Sequence, residues 1–255
     1  VNNFSSWNNL LLDWKEKYPV VKNNYKEKTK FLNSFDFINQ LSLNLNGNET
    51  IVTDMGTSFT CTMQTFKIIN PNSQRLFTSS GLASMGFGLP GIIGAFLANN
   101  NKNPICISGD GGLMFNIQEL QTVKKYNIPL KLFVLENKGY LTMKLMQKKN
   151  FNKITGADPS SGVSFPSFKK IANSFSFNYI KLNKKNMKKK IKKILSSKAP
   201  IIVEVNMDPY QELTPRLQNK LNKDGTFSIP SYDDLYPHIN DKELEFERAR
   251  ARSII

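Results

Sequence analysis

Two stretches carry the oxygen donors and bare backbone that metal–phosphate chemistry needs. One is Ser108-Gly109-Asp110-Gly111-Gly112; the other, Glu136-Asn137-Lys138-Gly139-Tyr140, places an asparagine 27 positions after the aspartate. A carboxylate and an amide carbonyl are hard ligands of the kind Mg²⁺ takes. Gly109, Gly111 and Gly112 leave backbone N–H groups uncovered, where a phosphate-bearing anion can dock. Each stretch ends an apolar run, 105–107 and 130–135, and the segment between them is amphipathic. The pattern is strand, glycine turn, helix, strand: one βαβ unit. Such crossovers are right-handed, so both strands run parallel and Asp110 and Asn137 reach the same edge of the sheet. A plain glycine turn accounts for the glycines but not for an asparagine at that distance.

Gly109-Asp110-Gly111, 25 further residues and then Asn137 resembles the metal–diphosphate motif of thiamine-diphosphate enzymes. The resemblance implies that Asp110, Asn137 and the backbone carbonyl of Gly139 hold the Mg²⁺ that anchors the diphosphate of thiamine diphosphate. The family usually has Asn-Asn where this chain has Glu136-Asn137, but the ligand is the second of the pair and is kept. Upstream, the strand-like run 50–54 ends in Met55-Gly56-Thr57-Ser58. Gly56 permits close backbone approach, and the hydroxyls of Thr57 and Ser58 suit phosphate oxygens. A helix N-cap formed by Thr57 or Ser58 is the competing reading, and the two roles are compatible. The tetrapeptide resembles the Gly-Thr-Ser at the diphosphate in the pyruvate-decarboxylase branch of the family.

The segment 79–98 holds Gly86, Gly88 and Gly91 at the spacing of a dinucleotide fingerprint. No strand leads directly into them and Pro90 interrupts the triplet, so the small residues are expected to let a helix pack closely on the sheet. The segment resembles the one that cradles the aminopyrimidine ring in acetolactate-synthase-like enzymes. By that resemblance Ala83, Ser84 and Met85 lie along the cofactor, with Met85 the apolar prop that bends it; an ordinary core methionine is the alternative. Tyr140 joins them beside the cofactor, and Leu141 to Met143 face the substrate side.

The resemblance implies a doubly wound α/β fold and a reaction in which a 2-oxo acid such as pyruvate loses CO₂ and its remainder joins a second carbonyl. It implies a homo-oligomer with the active site at a subunit interface. The activating glutamate is expected in a separate amino-terminal domain, so no catalytic residue is assigned within these residues. Where the family has FAD, another domain mostly holds it. True acetolactate synthases carry a Gln-Trp pair after the metal asparagine; here Gln147 precedes Lys148. A simple 2-oxo-acid decarboxylase and a non-catalytic homologue therefore stand as alternatives.

The elements that position these groups follow from periodicity. Strands are expected at 50–54, 75–78, 105–107, 130–135, 179–182 and 200–205. Helices are expected at 35–45, 116–126 and 168–175, with Ile117, Leu120 and either Val123 or Lys124 inward in the second. Alternating strands and helices argue for a doubly wound parallel sheet with helices on both faces. Residues 151–167, rich in Gly, Ser and Pro, are expected to form a mobile loop closing over substrate. Residues 1–32 resemble a linker, a helix stopped at Pro19, from a preceding domain; 33–208 form the binding domain and 209–255 a tail.

The bulk composition excludes other classes. The chain has 255 residues, 40% of them apolar, and begins with Val1, which suggests a piece of a longer protein. No run of about 18 apolar residues and no basic-then-apolar leader occurs, so a cytoplasmic location is expected and no membrane. Cys61 and Cys106 make no disulfide framework and are expected as buried thiols. His238, the sole histidine, lies in the tail and leaves no histidine-based triad. The net charge of +15 concentrates in places such as 184–198, an amphipathic basic helix without the interleaved aromatics of a nucleic-acid surface.

Overall fold

A computed structural model describes residues 4–22, 30–79, 81–98, 103–222 and 224–254. The chain divides into two compact units, one of residues 23–212 and one of 1–22 with 213–255.

The larger unit is a six-stranded parallel sheet. Its strands are β1 (Thr50–Thr53), β2 (Arg75–Phe77), β3 (Pro104–Gly109), β4 (Lys131–Glu136), β5 (Asn178–Leu182) and β6 (Ile201–Asn206), in the order β2-β1-β3-β4-β6-β5. The inner strands β1, β3, β4 and β6 are buried along nearly their whole length. A parallel strand covered on both faces needs an apolar centre, and these have one at 51–52, 105–107, 132–135 and 201–203. Successive side chains alternate between faces. Val52, Cys106, Leu132, Val134 and Ile202 share one core cluster with α4 (Gly88–Ala98), α6 (Leu120–Lys125) and α8 (Phe168–Ser174). On the other face, the Phe133 ring packs on Phe37 of α2 (Ser34–Ser42) with centroids 5.7 Å apart. Helices therefore cover both faces, as the periodicity predicts.

Gly88 and Gly91 let α4 press onto the sheet. A Cβ at Gly88 would lie 3.1 Å from Cβ of Asp54, and one at Gly91 would lie 3.1 Å from Val52. Their spacing serves packing, as expected. The predicted helix 116–126 is a 3₁₀ turn, Ile117–Glu119, running into α6, and Val123 rather than Lys124 is the buried residue. The remaining elements of this unit are α3 (Thr57–Thr65), α5 (Asp110–Leu113), α7 (Leu141–Phe151) and the basic α9 (Met187–Leu195). Met187, Ile191 and Ile194 of α9 face inward, with lysines on its solvated side. Cys61 and Cys106 are buried and unbonded to each other.

The smaller unit contains α1 (Ser5–Lys17), a two-stranded ribbon of β7 (Lys220–Leu221) and β8 (Phe227–Ser228), and α10 (Asp241–Arg252). The last helix is a departure from the sequence reading, in which periodicity fades after residue 208. Asn240 caps it through a bond from the Glu243 N–H, acidic residues fill its first turn, and arginines fill its last. Caps and charge order start and end this helix, with little apolar face of its own. Among the described residues no helix is long and apolar enough to cross a membrane.

Candidate functional site

The order of strands reverses between β1 and β3, and in open α/β sheets the crevice outside the carboxyl ends at such a point is where ligands bind. Both predicted glycine turns open there. β1 runs into Asp54-Met55-Gly56, and α3 begins at Thr57 with Gly56 as its N-cap, without a side-chain capping bond. Neither hydroxyl therefore caps the helix. The Ser58 hydroxyl is buried and donates to the Met55 carbonyl at 2.9 Å, while Thr57 is buried beside it.

β3 delivers Asp110 and β4 delivers Asn137 to adjacent strand ends, since Gly109 pairs in register with Leu135. Asp110 is 1% exposed. Its Oδ1 accepts the N–H of Gly111 at 2.8 Å and its Oδ2 accepts the N–H of Gly139 at 3.2 Å. Burial pushes its pKa up to about 7, and Glu136 adds to the rise against the backbone donors. Asn137 is 3% exposed, and its Oδ1 is buried with no hydrogen-bond partner. A buried amide oxygen left unpaired costs ~1–3 kcal/mol, so this position calls for a donor or a cation. A carboxylate starved of solvent calls for positive charge in the same way. Among the described residues no three His, Cys, Asp or Glu side chains cluster as a metal cage. The donor set is instead two side chains and the turn behind Asn137: few, hard and oxygen-only, which fits Mg²⁺ better than Zn²⁺.

That turn is held tightly. Lys138 has φ +60° and Gly139 φ +151°, and a Cβ at Gly139 would run into the Ala157 carbonyl oxygen. The same carbonyl accepts the N–H of Tyr140 at 2.8 Å. The Tyr140 ring lies against Gly111, where a Cβ would come 2.8 Å from its Cδ1, and meets Phe165 edge-on at 6.0 Å. Gly109, by contrast, has open space where a side chain would stand. Ala83, Ser84 and Met85 lie on an exposed loop, with Ala83 at φ +54°. Met85 is 41% exposed, so it is not a core residue.

Within the segment expected to be a mobile loop, residues 156–163 are bonded to one another. Gly156 N–H donates to the Ser161 carbonyl, and Asp158 begins a 3₁₀ turn with a reciprocal capping box to Ser161. Lys144, 2% exposed on α7, places its ammonium 3.8 Å from Asp158 and over the Tyr210 ring at 4.6 Å. Glu136 lines a cavity of about 550 Å³ with Lys138, Phe165, Tyr179, Lys181 and Glu204.

Sequence reasoning missed Asp54. It is 1% exposed and accepts bonds from Met55 N–H, Gly86 N–H and the Ser108 hydroxyl, with burial raising its pKa. A charged residue ending an otherwise buried strand at the switch point was the signal available.

With this geometry in place, comparison with known proteins is informative. Residues 54–205 match the family model described as thiamine pyrophosphate enzyme, C-terminal TPP binding domain. The chain is 29% identical over 204 residues to an acetolactate synthase large subunit of Cyanidium caldarium, covering 80% of this chain and 34% of the relative. It is 27% identical over 246 residues to that of Lactococcus lactis, covering 96% and 40%, and 30% identical over 211 residues to a probable large subunit of Methanococcus aeolicus, covering 82% and 34%. The chain thus spans little more than a third of the length of these curated relatives.

Proposed function

This chain belongs to the thiamine pyrophosphate enzymes through their C-terminal cofactor-binding domain, and from that premise we propose that it is the diphosphate- and Mg²⁺-holding part of an acetolactate-synthase-like enzyme. The observation that carries the site is the buried, unpaired Asn137 Oδ1 one strand away from the buried Asp110 carboxylate. Asp110, Asn137 and the Gly139 carbonyl hold Mg²⁺. Gly56, Thr57, Ser58, Gly109, Gly111 and Gly112 surround the diphosphate, and Ala83, Ser84, Met85 and Tyr140 flank the rest of the cofactor. Bound thiamine diphosphate supplies the electron sink for loss of CO₂ from a 2-oxo acid. The residues of this chain would anchor and orient it: Asp110 would offset one of the cation's two positive charges, and Tyr140, braced edge-on by Phe165, would stand beside it.

The substrate under this reading is pyruvate, and the assembly a homo-oligomer whose neighbouring subunit supplies the activating glutamate to the ring end of the cofactor. A second reading, a decarboxylase without ligation, is kept by one feature: Gln147, which makes a pair of bonds with the Thr155 backbone, is followed by an exposed Lys148 where acetolactate synthases have tryptophan. Calorimetric titration of the chain with thiamine diphosphate, with Mg²⁺ and then with EDTA, tests the site. Saturable binding that EDTA abolishes is expected, and binding indifferent to metal overturns the assignment. Product analysis with pyruvate in the assembled enzyme separates ligation from simple decarboxylation.

A further inference from the structure

We infer that Asp54 is a positioning residue that sets the distance between the ring end and the diphosphate end of the cofactor site, an inference that rests on the cofactor reading above. Its carboxylate touches each of the segments concerned. Oδ1 accepts from Met55 N–H at 2.8 Å, which fixes the entry to 56–58, and from Gly86 N–H at 2.9 Å, which fixes the end of the loop bearing Ala83 to Met85. Oδ2 accepts from the Ser108 hydroxyl at 2.8 Å, two residues before Asp110. Gly112 closes the bracket from the fourth side, since a Cβ there would stand 2.7 Å from Oδ2.

The loop carrying Ala83, Ser84 and Met85 is exposed, yet its last residue is suspended from both directions. Gly86 gives its N–H to Asp54, and its carbonyl accepts Nδ2 of Asn116 at 3.0 Å. The metal-side turn has separate supports, the Asp110 bonds to Gly111 and Gly139. Removing Asp54 therefore leaves those metal-side bonds intact and takes one of its two supports from the ring-side loop, so the ring end of the site loses more than the diphosphate end. Burial raises the pKa of this carboxyl and, among the described residues, three neutral donors and no Lys or Arg face it. Three donors from three different segments converge on this one side chain, which places it at the junction of both halves of the ligand site.

The test compares two probes, each with Mg²⁺: thiamine diphosphate and inorganic diphosphate, by calorimetry, on the wild type, Asp54→Ala, Asp54→Asn and Ser108→Ala. The wild type is expected to bind thiamine diphosphate more tightly, the difference being what the ring adds. Asp54→Ala should lower thiamine diphosphate affinity by about tenfold, the scale of one positioning bond lost, and leave inorganic diphosphate within about twofold. Asp54→Asn keeps an acceptor toward Met55 and Gly86 and should restore most of the ring contribution. Ser108→Ala removes one arm only and carries the same comparison if Asp54→Ala does not fold. Equal weakening of both probes, or no change in either, overturns the inference. A wild type that binds neither probe with Mg²⁺ overturns the cofactor reading and this inference with it; one that binds inorganic diphosphate as tightly as thiamine diphosphate overturns the inference alone.

Discussion

The backbone N–H of Gly139 donates to Oδ2 of Asp110 at 3.2 Å, joining the turn after β4 to the helix start after β3. Two segments 29 positions apart are thereby locked at the rim before any ligand arrives. The carboxylate that receives this bond is the sole charged donor of the proposed Mg²⁺ site. Asp110→Ala should weaken Mg²⁺-dependent binding of thiamine diphosphate by more than about 100-fold, beyond the loss typical of an outer-shell partner. Calorimetry with and without EDTA reads it, and an affinity equal to wild type removes Asp110 from the site.

Gly139 gives an independent test because its role is backbone. Its φ of +151° and the Ala157 carbonyl facing its missing Cβ leave no room for a side chain. Gly139→Ala should cost ~1–3 kcal/mol in stability from strain, with displacement of the 157 carbonyl adding to it. Metal-dependent binding should fall although both ligand side chains are intact. Urea melts and calorimetry on the same sample check both effects; unchanged binding in a folded variant separates the turn from the metal.

The sheet was legible because parallel strands covered on both faces need apolar centres, and 51–52, 105–107, 132–135 and 201–203 supply them. The meeting of Asp110 and Asn137 at one sheet edge was legible because a right-handed crossover fixes where both must end. Asp54 was not, since its partners Gly86 and Ser108 come from 32 and 54 positions away, and no local pattern encodes them. The stretch 151–167 carries local bonding that its composition does not show: Ser160 and Ser161 donate to Asp158, the N-cap of the 159–161 turn, and Ala157 is fully buried. The helix Asp241–Arg252 hid because just Leu244 and Glu247 of it are buried.

Lys144 and Asp158 invite the assumption that a buried ion pair stabilises the fold. Magnitudes argue otherwise. At 3.8 Å the pair is not hydrogen-bonded, and Asp158 already has hydroxyl donors from Ser160 at 2.7 Å and Ser161 at 2.9 Å. Burial is the largest influence on Lys144 and lowers its pKa, against the pull of Asp158, Asp110 and Asp208. Lys144→Met, of similar shape, removes the buried ammonium with its desolvation cost and leaves Asp158 its two hydroxyl donors, so it should cost less than Asp158→Ala, which strands the ammonium. Asp158→Ala should cost ~1–2 kcal/mol by removing the cap of the 159–161 turn. Chemical denaturation of both single variants and the double variant gives the coupling, and a Lys144→Met loss above that of Asp158→Ala refutes the ranking.

In the smaller unit, Glu247 gathers three donors. Trp14 Nε1 reaches it at 2.7 Å, Lys17 Nζ at 2.8 Å and Arg250 Nη1 at 2.8 Å. Burial alone would raise its pKa, but the bonds from Lys17, Trp14 and Arg250 bring it down from 4.5 to about 2. A carboxyl whose folded value is depressed contributes stability above its unfolded value, and that contribution is lost as pH falls from about 4.5 toward 2. Trp7 and Trp14, the two tryptophans of the chain, both lie on α1, so intrinsic tryptophan fluorescence reports this unit. The emission should shift across that acid window. Glu247→Gln should cost ~1–3 kcal/mol at neutral pH, the scale of hydrogen bonds to a charged group, and flatten the acid dependence. A Glu247→Gln variant with the acid transition of the wild type would mean that a different carboxyl governs it, Asp13 and Glu243 being the neighbours to replace next.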